Sequence, residues 1–138
     1  MITLPQFMFA GNATFTVTSK KTGDRFTFKV RKPSEEKPHF VSVLTGSDNE
    51  HSYTPLAHIV DASHPSFGVM RFNRNSRISP SAPSAKAFDW LFRNLDRPEM
   101  IERFADIHHE GKCCRCGRKL TVPSSVESGI GPECAGKI

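Results

Sequence analysis

The stretch TFTVTSKKTGDRFTFKVR, residues 14–31, constrains the fold more than any other. Phe15 and Val17 alternate with threonines, then Phe26, Phe28 and Val30 alternate with Arg25, Thr27, Lys29 and Arg31. A period of two puts successive side chains on opposite sides of an extended chain, so each segment reads as a strand with one apolar face. KKTGD between them supplies a turn, with Gly23 free to take a positive φ. A hairpin of this kind cannot bury its apolar face alone, so further strands and a covering layer must follow.

They do. HFVSVLT (39–45) is apolar on both faces and reads as a central strand. YTPLAHIVD (53–61) is ambiguous: Pro55 demotes it to an edge strand or opens a short helical turn. FGVMRFN (67–73) reads as the last strand of the meander. After a Ser/Pro-rich loop the period changes. A helix begins near Pro83 or Ser84, with Phe88, Leu91, Phe92 and Leu95 at helical spacing and facing the sheet. Asp96 and Pro98 read as cap and first-turn proline of a second stretch, PEMIERFADI, a short helix running into a strand. The expected architecture is α+β: an antiparallel sheet of about four strands, one packed amphipathic helix and a C-terminal treble-clef-like zinc finger. The expected division is 1–106 for the sheet domain and 107–138 for the finger module.

The finger rests on the cysteines. Three of the four lie within CCRC, at Cys113, Cys114 and Cys116, and the fourth is Cys134. Two thiolates spaced C-x-x-C converge on one ion when the backbone between them turns tightly, and Gly117 stands where that turn needs a permissive φ. Gly129 and Gly131 permit a sharp turn ahead of Pro132, which suits a first helical position. Cys134 then falls in a first helical turn, where N–H groups favour a thiolate. A redox C-x-x-C would start a helix, whereas GRKLTVP follows here, and clustered cysteines in a reducing compartment do not indicate a structural disulfide. Structural zinc takes four ligands, so Cys113, Cys116 and Cys134 need one more from His109, His108 or Cys114. In an extended ADIHH the two histidines point to opposite sides and only one ligates. His109 is favoured, completing a Cys3His site. Cys114 is then a bystander, whose replacement by serine is expected to leave metal and fold intact.

The segment CRCGRKLTVPSSVESGIGPECAGK resembles a small zinc-binding domain found in phage and mobile-element proteins and attached to helicase-like and other DNA-processing proteins. The shared pattern is C-x-x-C-G-R-x-L-T-x-P-x-S-x-x-x-G-x-G-P-x-C, matched from Cys113 to Cys134, with His109 in an upstream H-E-G that the long form also carries. Cys114 departs from that pattern. The preceding part of the chain resembles, more loosely, a recurrent partner of the domain in phage-encoded proteins. The resemblance implies zinc, a phage or mobile-element context and DNA association, without an established activity.

The formal charge of +5 favours anionic partners. RFNRNSR brings Arg71, Arg74 and Arg77 around Phe72, where the arginines could grip phosphate and the ring stack a base; alternatively, Phe72 is core. Arg115, Arg118 and Lys119, with Lys112, surround the knuckle, and the polar face Arg25, Lys29 and Arg31 could extend this surface. No H-E-x-x-H, G-x-S-x-G or P-loop occurs, His39, His58 and His64 are scattered, and Asp48, Glu50 and Asp61 show no paired spacing. No apolar run matches a membrane span and MITLPQFMFA lacks a basic leader region, so a cytoplasmic protein is expected. These features together point to a non-enzymatic zinc-binding protein that binds nucleic acid through basic surfaces. The alternative is an anti-defence, anti-CRISPR-like inhibitor of a host protein or nucleoprotein complex. A small-molecule substrate is not expected.

Overall fold

A computed structural model describes residues 3–48, 51–61, 67–109, 111–118 and 129–131. The elements are α1 (Leu4–Met8), β1 (Asn12–Ser19), β2 (Arg25–Arg31), β3 (His39–Leu44), β4 (Tyr53–Val60), β5 (Val69–Phe72), α2 (Pro83–Arg93), α3 (Pro98–Phe104) and β6 (Ala105–His109). All strand pairs are antiparallel, and the sheet order is β5-β4-β3-β2-β1-β6. The α+β class is as expected. Among the described residues the sheet has six strands rather than about four, and α1 accompanies it in addition to the packed helix α2 and the short helix α3 expected at PEMIERFADI.

The β1–β2 hairpin has the register its alternation dictates, with Phe15 opposite Phe28 and Val17 opposite Phe26, and Gly23 in its turn takes φ +78°. One face of the sheet is the core. Ala13, Phe15, Val17, Phe28, Val30, Val41, Val43, Ala57 and Ile59 are buried there. From α2, Ala85, Phe88 and Leu91 close over them, followed by Leu95; Phe92 is only partly buried. The Phe88 ring meets Phe28 edge-on at 5.1 Å. Burying each such ring contributes about 2–3 kcal/mol. The short helix α1 opens with a Thr3–Gln6 capping box, worth its place because it aims Phe7 and Met8 into the same core.

Three expectations are corrected. Strand β4 is interior, paired with β3 and β5, and β5 is the edge. Proline is accommodated by a bulge: Val41 pairs with Ala57 and Ser42 with Pro55, leaving Leu56 as the extra residue. Leu56 and Ala57 are consequently both buried although adjacent. Strand β3 is central but one-sided, since Phe40 is 43% exposed on the face away from the helices. The N-cap of α3 is Arg97, not Asp96, and it makes no side-chain capping bond; Pro98 does occupy the first turn. The strand expected after this helix is β6, which joins the far edge of the sheet beside β1 and carries the chain past residue 107.

Candidate functional site

The Cys113–Gly117 segment forms a tight turn. Gly117 N–H donates to the Cys113 carbonyl at 2.9 Å, and Cys113 N–H donates to the Arg118 carbonyl at 2.8 Å. The Cys113 sulfur accepts from Cys116 N–H at 3.5 Å and from Gly131 N–H at 3.2 Å. Burial pushes this thiol up, but the backbone N–H groups of Cys116, Gly131 and Arg115, helped by the Cys116 side chain, outweigh it and bring its pKa down to about 7. Converging N–H donors stabilise a thiolate, the form in which sulfur binds a metal. No disulfide joins the described cysteines, of which Cys113 and Cys114 are buried and Cys116 is exposed.

Strand β6 separates the two histidines as extended backbone requires. His108 lies opposite Thr16 and is exposed on the open side of the sheet. His109 lies opposite Phe15 and is half-buried, with its ring 6.1 Å from Phe7. Its Nδ1 accepts from Gly111 N–H at 3.0 Å. Ligation by His109 would cost that bond, because Nδ1 must take either the metal or the proton from Nε2. Cys113 and Cys116 lie in one turn, and His109 is on the same side of β6 as the core. Cys134, Pro132 and the helix start expected there lie outside the described residues, as does Lys119. Among the described residues no three His, Cys, Asp or Glu side chains converge on one point.

Cys114, expected to be a bystander to the metal, is packed rather than exposed. Its side chain is fully buried, its N–H donates to the Gly129 carbonyl at 2.8 Å, and its carbonyl accepts from Asn12 N–H at 2.7 Å. It stitches the turn to β1 and to Gly129. Gly129, at φ +81°, lies against the Phe7 ring, and Ile130 joins the core.

The other candidate surface is the open face of the sheet. Strands β1 to β5 contain no Asp or Glu, while Arg25, Lys29, Arg31 and Arg71 all stand on this face. Register makes the arrangement continuous: Arg71 pairs with His58, His58 with Phe40, Phe40 with Arg31, and Arg31 with Asn12. At the usual strand spacing this row is about 19 Å long. It ends at the cysteine turn, since a side chain on Gly117 would strike the Asn12 amide at 2.5 Å. Beside the row, Lys29 Nζ stands 4.1 Å from the centre of the Tyr53 ring. A depression of about 480 Å³ lies here, lined in part by Lys29, Arg31, Phe40, Tyr53 and Asn73.

Of the arginines singled out by sequence, Arg71 lies on β5 on this face, and Arg74 and Arg77 are exposed in the turns beyond it. Arg115 and Arg118 are exposed at the cysteine turn, at the opposite end of the row. Phe72 points to the core side, opposite Ala57, and packs against the core; it does not offer a stacking surface. Phe40 and Tyr53 escaped sequence reading because the open side of β3 looked like buried strand and β4 was not read as an interior strand. The scattered histidines have structural neighbours. His39 is buried with Nε2 3.1 Å from the Phe9 carbonyl, and burial lowers its pKa. His58 Nδ1 lies 2.9 Å from the Asn73 amide oxygen. His64 and Glu50 lie outside the described residues.

Residues 104–138 match the model of a family of unknown function (DUF6011), in agreement with the likeness of this segment to an uncharacterised domain family. No curated protein and no solved structure matches the chain. Among the described residues no helix is long and apolar enough to cross a membrane.

Proposed function

We propose that this protein is a non-enzymatic zinc-binding module of phage or mobile-element type that grips nucleic acid, in the cytoplasm, through its basic surfaces. The observation that carries the reading is the row from Arg71 through His58, Phe40 and Arg31 to Asn12, on strands free of acidic residues. Arg74 and Arg77 continue it at one end, Arg115 and Arg118 at the other. Cations spread over a flat face suit phosphates, which position a strand without reading its sequence. Zinc held by Cys113, Cys116, Cys134 and His109 would be structural, a closed four-ligand site that supplies folding energy to the tail. Cys114, Gly129 and Ile130 would then transmit that order to β1 and α1, keeping Arg115 and Arg118 against the row.

Fluorescence anisotropy on a labelled oligonucleotide tests the reading. If about five cations meet phosphates, affinity for a single strand should fall with a log–log salt slope of about −3.5, somewhat more than a hundredfold between about 50 and 200 mM salt. Absence of binding to any DNA or RNA at low salt would refute it and turn attention to a protein partner.

A further inference from the structure

We infer that the open sheet face is a seat for single-stranded DNA, with Phe40 and Tyr53 receiving bases and Lys29, Arg31 and Arg71 receiving phosphates. The inference rests on the nucleic-acid reading above and goes beyond it by naming the strand state and the rings that recognise it. Phe40 lies on a central strand yet is 43% exposed, while the core needs of β3 are met by Val41 and Val43. A large apolar ring held in water between Arg31 and His58 is a contact surface in waiting. Lys29 Nζ stands over one face of the Tyr53 ring, leaving the opposite face for a base. The 480 Å³ depression between the rings is of a size that accepts small planar ligands.

The alternation of ring and cation decides the strand state. A duplex hides its base faces and offers a flat sheet only phosphates, leaving Phe40 and Tyr53 with nothing to do. A single strand offers both, and every base has a face to stack. An acidic protein would answer the cations but not the rings. On this face Thr16 Oγ1 lies 2.7 Å from Thr27 Oγ1. Recognition by charge and stacking asks nothing of a ribose 2′-hydroxyl, so a DNA strand, which lacks that group, forgoes no contact here and is the occupant tested.

The test uses the full chain and anisotropy with fluorescein-labelled oligothymidylate of about 15 nucleotides, a duplex of that length, oligouridylate, and polyglutamate as a base-free polyanion. Expected are at least about tenfold tighter binding of oligothymidylate than of duplex, an about tenfold loss in Phe40→Ala with unchanged salt slope, and retention in Phe40→Tyr. Circular dichroism melts check that both variants fold. Photocrosslinking of 5-iododeoxyuridine DNA to the unaltered protein should label the peptide carrying Phe40, whatever the variants do. Equal affinity for duplex, unchanged affinity in Phe40→Ala, crosslinks confined elsewhere, a large preference for oligouridylate, or equally good displacement by polyglutamate each overturns the inference. If nucleic acid binds but ignores Phe40, the function reading survives and this one fails; if none binds, both fail.

Discussion

Replacing Gly129 by alanine tests whether the tail is docked on the sheet domain as described. Gly129 has φ +81°, where an L side chain costs about 1 kcal/mol or somewhat more. A Cβ there would lie 2.5 Å and 2.9 Å from two ring carbons of Phe7 and 3.5 Å from His109 Cδ2. Phe7 cannot swing aside easily, because its ring is buried and meets Phe15 edge-on at 6.2 Å. Forcing atoms into such a packed place costs about 1–3 kcal/mol, for a total of about 3 kcal/mol. Gly111 is the internal control: its φ is +76°, but a Cβ there meets nothing within 4 Å. Gly111→Ala should therefore show the backbone cost alone. In thermal denaturation at matched metal content, Gly129→Ala should lower Tm by about 10 °C, roughly three times the drop for Gly111→Ala. Equal drops in the two variants would refute the contact between residue 129 and Phe7, and with it the docking of the cysteine turn against α1.

Two further outcomes follow from the cysteines and from His39. Cys116→Ser should lose zinc by atomic absorption, since Cys116 is a proposed ligand. Cys114→Ser should keep it but lose about 1–3 kcal/mol in denaturant melts, because Cys114 is fully buried and a hydroxyl there is poorly accommodated. His39 is held below its usual pKa of 6.5 first by burial, with Lys32 adding to the effect and the Phe9 carbonyl opposing it. Between the lowered folded pKa and 6.5 the unfolded chain holds the extra proton, so His39's contribution to stability is full above pH 6.5 and declines as pH falls below it. Urea melts between pH 7 and 5 should show that decline, and His39→Gln should flatten it.

The sequence by itself determined the strands of the β1–β2 hairpin, the helix that buries Phe88 and Leu91, and the crowding of thiols at 113–116. These are local matters: a period of two or 3.6 and a fixed ligand spacing are set by backbone geometry within a few residues. What only the tertiary structure decided is which residues share the open face. Strict alternation along β4 puts Tyr53 and His58 on opposite sides; the bulge at Leu56 shifts the phase, so both stand with Phe40, Arg31 and Arg71. The interior position of β4 and the exposure of Phe40 were hidden for the same reason. Each depends on which strand or turn packs alongside, and that choice is made by contacts between segments far apart in the chain, not by the residues of any one segment.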